Sequence, residues 1–542
     1  MYFFFLLIRR AHYSWYTANT KSRIRIIVTG IFTVGAIVLT YVQCRAMVRQ
    51  SLQRNIPTEG SSLQGSSLQG SSLSPGDMRI KIKDMMLHAW RGYARVVWGT
   101  NEFRPISRRA HVGGDFASYK LGATIIESLD TLHLMGLHNE LNRSRNWIEK
   151  SFSLDRIDEA LSVFELTSRL LCPMLTLYSL TGDSLYMDKA IHIADKILPA
   201  FDTPTGIPRQ LVVPKAGSTL WKYLSDVSRT AEFGALHLEF YYLSEISGYP
   251  VYKDRVDAIR RVLAKTPRPN GLYPNAYCTR YGKWENHNCS VNRLYDTLLK
   301  SWIQSGRADT QNADIFKEAL LAVAQNLVVI NAEDVTYVST YRNGTLFHRM
   351  RHSECFVGGL FALGATETLL KHWEKYVQMS IGLTDTCHDS YWNSPTRLGP
   401  DTFAFTEEGQ KEIEPLQRNF YNLRPEVAET YFILWRMTHY PKYRSWGLEM
   451  VQAIEKYCRK PYGYTGVLDV NNVTAEPDDV QRSFFLGATL KYLYLLFSDD
   501  EVVSLAQWVF NSAGHFLPIK GANPMYRPHY SSDEALANHQ NI

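Results

Sequence analysis

Ala160-Leu161-Ser162-Val163-Phe164-Glu165-Leu166-Thr167-Ser168-Arg169-Leu170-Leu171-Cys172-Pro173-Met174-Leu175-Thr176-Leu177-Tyr178-Ser179-Leu180 carries apolar residues at three- and four-residue intervals and stops at Thr181-Gly182-Asp183. That spacing marks a helix with a buried face, and the Gly marks its end. The pattern returns over 231–246, 314–330, 354–371, 425–437 and 483–497, whereas strand signals are few and short. Turn clusters such as Asp202-Thr203-Pro204-Thr205-Gly206-Ile207-Pro208 separate the helical stretches. Paired helices from residue 78 onward, without a strict short repeat, predict an all-α domain closed into one large α/α barrel over 78–520, followed by a C-terminal tail, 521–542.

Upstream, residues 26–44 are uncharged, about the ~20 residues that a bilayer span requires. Five basic residues precede this stretch and Arg45 follows it, so the positive-inside rule predicts a cytoplasmic tail at 1–25, a transmembrane anchor at 26–44 and a luminal remainder. Ser61-Ser62-Leu63-Gln64-Gly65 and its repeats read as a flexible stem within 45–77. The formal net charge of +6 lies entirely in the first 45 residues, which hold six basic residues and no acid. The remaining chain sums to zero, which argues against nucleic acid as a partner. With 45% hydrophobic residues it can bury a large core.

Sequons at Asn142, Asn288, Asn343 and Asn472 and six downstream cysteines suit a luminal domain with one or two disulfides. No nucleophile elbow, zinc helix or phosphate loop is present, so catalysis has to come from acids. Helical carboxylates are normally solvated, and the ones that stand out occupy apolar surroundings. Glu165 has Arg169 one turn on; Glu426 follows Leu423-Arg424-Pro425, with Glu429 on the same face. Glu232 and Glu239 border an apolar helix, and Asp296 opens Asp296-Thr297-Leu298-Leu299-Lys300. For each of these, ion pairs between hairpins are the competing explanation.

Asn101-Glu102-Phe103-Arg104-Pro105-Ile106-Ser107, Gly122-Ala123-Thr124-Ile125-Ile126-Glu127-Ser128-Leu129-Asp130-Thr131-Leu132, Ser162-Val163-Phe164-Glu165, His352-Ser353-Glu354-Cys355-Phe356 and Trp508-Val509-Phe510-Asn511-Ser512 resemble the class I α-mannosidases, glycoside hydrolase family 47. The likeness runs over about 78–518, and Asp479-Val480-Gln481 with Met437-Thr438-His439-Tyr440-Pro441 is most similar to the Golgi α-1,2-mannosidase subgroup. The resemblance implies a barrel of seven helical hairpins, (α/α)7. It also implies a bound Ca²⁺ and inverting release of terminal α-1,2-linked mannose from high-mannose N-glycans in the Golgi, with the endoplasmic reticulum as second choice. By motif it places Glu165 as acid and Glu426 as base, Arg169, Glu232, His352, Arg424 and Glu429 in the sugar pocket, Ser512 on Ca²⁺, and Cys355 with Cys387 in a disulfide.

The departures concern charge. The family's catalytic Asp at the start of a helix falls on Asp296 when anchored from Ser290 and on Asn292 when anchored from Leu298-Leu299-Lys300; Asp296 is the residue carried forward. Ala488 and Ala513 stand where the family has Glu, and Arg482 stands where the Golgi subgroup has Gln. Cys172-Pro173 replaces Gly-Gly, and a helix-interior Pro is expected to kink or break the helix. An active mannosidase is therefore weighed against a weakened relative that binds mannose glycans.

Overall fold

Ser74 caps the first helix: its hydroxyl accepts from Asp77 N at 3.2 Å while Asp77 accepts from Ser74 N at 3.0 Å. Pro75, expected to close the stem, instead occupies the first helical position, where a missing N–H costs nothing. The domain thus begins a few residues earlier than expected. The structure is a computed structural model describing residue 47 and residues 74–529, except 117, 216–223, 343, 369–371, 406–410 and 413–417. The residues expected to form the cytoplasmic tail, the membrane segment and nearly all of the stem, and the Asn343 sequon, lie outside the described residues. Among those described, no helix is long and apolar enough to cross a membrane.

Helices alternate between an outer and an inner layer. The outer set is Pro75–Val96, His138–Ser151, Ser184–Ile197, Pro250–Lys265, Thr310–Asn326, Trp373–Trp392 and Pro441–Ala453. Each buries one stripe; His138–Ser151 buries Leu141, Ser144 and Ile148. Seven inner segments follow them: Ala123–Glu127 with Leu129–Leu134; Val163–Glu165 running on to Cys172–Thr181; Thr230–Phe233 with His237–Ser247; Arg293–Gln304; Val357–Thr368; Glu426–Thr438; and Phe485–Thr489 with Leu490–Leu496. These are buried on nearly every side, and every residue of Glu426–Thr438 is buried.

Close approach inside the ring needs small residues. A Cβ on Gly358 would lie 2.4 Å from Thr384 Oγ1, and one on Gly359 would lie 2.8 Å from Ile433 Cδ1. The ring closes where Thr131 Oγ1 donates to Gly487 O, joining the first inner segment to the seventh. The expectation of an α/α barrel therefore holds for the described residues. Among the described residues, short strands, none longer than four residues, form small hairpins in the loops that enter the inner segments. From the chain's end, the hairpin Trp508–Phe510 with Phe516–Pro518 fills the interior: Phe510 meets Phe432 and Tyr492 with centroids 5.4 Å away in both cases. Residues 521–529, expected to be tail, pack too: Tyr526 is buried and His529 N donates to Glu245 O at 2.8 Å.

Pro173 does not break its helix. Leu166–Leu171 is π-helical, with Cys172 N reaching Thr167 O, so the wider turn just before the proline absorbs its clash. The shift deprives Ser168 O of its usual partner. Asn511 Nδ2, at the end of the interior hairpin, donates to it at 2.8 Å.

Candidate active site at the starts of the inner segments

Because the inner segments run the same way, their first turns converge at one mouth, where helix N-termini favour carboxylates. Glu165 is at the first turn of the second segment, its N–H capped by Ser162 Oγ at 3.2 Å. Its Oε2 accepts from Arg169 Nη1 at 3.0 Å. Arg169 in turn holds Glu127 Oε1 from Nε at 2.9 Å, Ser483 Oγ from Nη2 at 2.7 Å and Asp115 Oδ2 from Nη1 at 2.7 Å. Burial raises the Glu165 carboxyl to about 7, against the opposing pull of Arg169 and with help from Asp115 and Glu127. Its side chain is still 21% exposed, so solvent reaches it at the mouth. Glu232, from the third segment, accepts from Gln210 Nε2 at 3.0 Å, and burial raises it as well, despite Arg229 beside it.

Glu426 opens the sixth segment. His352 Nδ1 lies 3.1 Å from its Oε2, and His352 Nε2 lies 2.6 Å from Tyr391 Oη. Arg424 Nη1 is 3.6 Å from Glu426 and its Nε is 3.5 Å from Asp401. Burial alone would raise Glu426, but the His352 hydrogen bond and the charges of Arg424, His352 and Arg293 outweigh it and hold the carboxyl at about 2. Two carboxyls at the same mouth are thus driven in opposite directions.

Asp296, expected at the start of a helix, stands in the first turn of the fourth segment. The fourth segment, Arg293–Gln304, is opened by Asn292, whose side chain accepts from Leu294 N at 3.0 Å. Asp296 lies in the first turn of that helix, buried, with Lys300 Nζ at 2.7 Å and Arg293 Nη1 at 3.4 Å. Leu298, Leu299 and Lys300 are buried and fix the helix register. Glu429 is also closed off, by Arg293 Nη2 at 2.8 Å and Nη1 at 3.1 Å.

Below the mouth lies the turn of the interior hairpin. Asn511 Oδ1 accepts from Ala513 N and His515 N, while its Nδ2 donates to Glu239 Oε1 at 2.8 Å. Lys491 Nζ donates to Gly514 O at 2.7 Å and to Asp130 Oδ2 at 2.6 Å. The Ser512 hydroxyl oxygen is buried and has no hydrogen-bond partner. Ala488 is fully buried, and a Cβ on Gly514 would lie 2.9 Å from its own, so the turn fills the space a longer side chain would need. Among the described residues no group of three or more His, Cys, Asp or Glu could hold a metal ion. Arg482, which stands where the Golgi subgroup has Gln, pairs with Glu102 Oε2 at 3.5 Å. A disulfide joins Cys355 to Cys387, with Cα atoms 5.9 Å apart; Cys172, Cys278, Cys289 and Cys458 are buried thiols.

Residues 85–519 match the sequence profile described as glycosyl hydrolase family 47. A mannosyl-oligosaccharide alpha-1,2-mannosidase IA of Drosophila melanogaster is 50% identical over 457 residues, 83% of this chain and 68% of that protein. The human mannosyl-oligosaccharide 1,2-alpha-mannosidase IC is 44% identical over 445 residues, 81% of this chain and 70% of that one. The chain belongs to glycosyl hydrolase family 47. An alpha-1,2-mannosidase from Trichoderma reesei superposes with TM-score 0.75 at 23% identity, covering 82% of this chain and all of that one, which agrees with the barrel.

Several residues that meet the expected site residues escaped the sequence reading. Glu127 stands in an apolar run, the same signal that singled out Glu165, and its burial was therefore readable. Asp115, Arg293 and Tyr391 gave no such signal. Their roles depend on contacts across loops and segments far apart in sequence.

Proposed function

We propose that this chain is a mannosyl-oligosaccharide α-1,2-mannosidase that hydrolyses terminal α-1,2-linked mannose of high-mannose N-glycans with inversion. The observation that carries this is the opposed tuning of Glu165, at about 7, and Glu426, at about 2. Inverting hydrolysis needs one protonated carboxyl and one ionised one. Glu165 gives its proton to the glycosidic oxygen as the bond to the anomeric carbon breaks. Glu426 takes a proton from the water that adds to that carbon from the opposite face. His352 and Arg424 keep Glu426 ionised, and Arg169 orients Glu165; Glu232 lines the cavity beside it. Glu429 contributes its charge to Arg293.

The orphaned Ser512 hydroxyl supports a Ca²⁺ site held by that residue's hydroxyl and carbonyl oxygens, since Ca²⁺ seeks oxygen ligands. When bound, Ca²⁺ would supply positive charge and ordered water at the cavity floor. The uncharged residues 26–44 support a single-pass type II anchor, with the barrel in the Golgi lumen, or in the endoplasmic reticulum as second choice.

A second reading, a mannose-glycan-binding relative with reduced turnover, draws on one observation. The helix start expected to carry a catalytic Asp carries Asn292, and Asp296 is bound to Lys300. Incubation of the full chain with a high-mannose N-glycan separates the two. Mannose release that falls about 10²–10⁴-fold in Glu165→Gln and Glu426→Gln supports the enzyme. Equal, negligible release by wild type and both variants, with glycan binding kept, supports the binding protein.

A further inference from the structure

Asp115 reaches the proposed acid from outside the ring of inner segments. Its Oδ2 lies 2.7 Å from Arg169 Nη1, the nitrogen that also meets Glu165 Oε2 at 3.0 Å. The guanidinium's other side is occupied by Glu127 and Ser483. One cation therefore faces three carboxyls, and a single positive charge cannot keep all three ionised in a buried site at low cost. Glu127 is fully buried on the guanidinium, while Asp115 is 56% exposed and retains water. Burial raises both Glu127 and Glu165 on that guanidinium.

The loop that brings Asp115 in is built to do so. Gly113 and Gly114 have φ of +104° and +103°, a conformation open to glycine, and a Cβ on Gly113 would meet nothing within 4 Å. Phe116, next in sequence, is buried with its ring centroid 4.7 Å from the Arg169 guanidinium. An unpacked glycine pair thus leads into an anchored aromatic, with the carboxylate between them.

We infer that Asp115 is a positioning residue for glycoside hydrolysis: from the 112–116 loop it takes up Arg169 charge that would otherwise ionise Glu165, and so keeps Glu165 a proton donor. Among the described residues, the charged groups facing Glu165 are Arg169 on its own segment, Glu127 from the first, Glu232 from the third with its partner Arg229, and Asp115 from the loop. Of these only Asp115 stands on a loop, so approach of the loop sets the proton on the acid. The inference rests on the reading of Glu165 as the acid.

Asp115→Asn in the full chain removes the charge and keeps the shape. Glu165 then has Arg169 less contested, and its carboxyl ionises at lower pH. The alkaline limb of kcat/KM against pH is expected to move down by about half to one unit, as expected on removal of a nearby like charge. Near pH 5, where Glu165 is protonated in both proteins, kcat and KM should match wild type, and Asp115→Glu should restore the limb. An unmoved limb, or a loss equal at all pH values, overturns the inference. Glu165→Gln, run alongside, keeps the two ideas apart. An inactive Glu165→Gln with an unmoved Asp115→Asn limb overturns the Asp115 role alone, whereas an active Glu165→Gln overturns the acid assignment.

Discussion

Arg293 grips Glu429 with both ends of its guanidinium, at 2.8 and 3.1 Å, while its Cζ lies 4.0 Å from the centroid of the Phe356 ring. Lys300 completes the group, 2.7 Å from Asp296 and 3.7 Å from Glu429. Two cations and two carboxylates, all nearly inaccessible, cancel. Arg293→Met should leave Glu429 with Lys300 alone at 3.7 Å and cost about 3–5 kcal/mol, the usual penalty for breaking a buried pair. Thermal unfolding measures it, and Arg293→Met with Glu429→Gln should recover most of the loss. A single variant as stable as wild type would show that the pair does not hold the folded state.

His352 fixes the state of Glu426. Its Nδ1 bonds the carboxyl at 3.1 Å, and its Nε2 is held by Tyr391 at 2.6 Å. In wild type Glu426 stays ionised down to about 2, so no acidic limb belonging to it should appear in the ordinary assay range. Removing the His352 bond lets burial raise Glu426, and ionisation, which a base needs, is then lost from below. His352→Ala should therefore bring an acidic limb up into the measurable range; Tyr391→Phe, which only frees the ring, should do so more weakly. Initial rates from pH 3 upward decide it, and a flat acidic side in His352→Ala would refute the coupling.

Ser512 offers a hydroxyl with no protein partner, which makes a cation its natural counterpart. A ligand that binds only the folded chain raises stability, by about 2.7 kcal/mol at a hundred times its dissociation constant. Added Ca²⁺ should raise the melting temperature of chelator-treated protein. Ser512→Ala should need more Ca²⁺ for the same rise while melting near wild type without it. Identical Ca²⁺ titrations for the two proteins would remove Ser512 from the site.

Much of this architecture was legible because it rests on local rules. The i, i+4 pair of Glu165 and Arg169 needed only helical spacing, and the inner segments declared themselves as apolar runs. What escaped was set by distance along the chain. Asp296 looked like the opener of a helix, but the register was decided by packing of Leu298 and Leu299, and Asn292 took the cap. Pro173 looked like a break, yet a π turn and the Asn511 side chain, hundreds of residues away, accommodate it. Asp115 stood in a glycine-rich loop, where exposed acids are ordinarily solvated.

Glu165 also leaves a mark on stability. Its carboxyl ordinarily titrates at 4.5, but in the folded chain burial raises it to about 7. A raised carboxyl is one whose ionised form is penalised by folding. Below 4.5 both states are protonated and the group costs nothing; the cost grows between 4.5 and about 7 and stays constant above. Glu165→Gln removes the ionisation while Asp115 and Glu127 still hold Arg169. The variant should match wild type at pH 4 and exceed it at pH 8 by about 2–3 kcal/mol, after discounting for the exposed part of the side chain. Melting temperatures at the two pH values measure the difference. A gain equal at both would trace to packing instead of charge, and a loss at pH 8 would mean that the ionised carboxylate is stabilised by Arg169 and cannot serve as the proton donor.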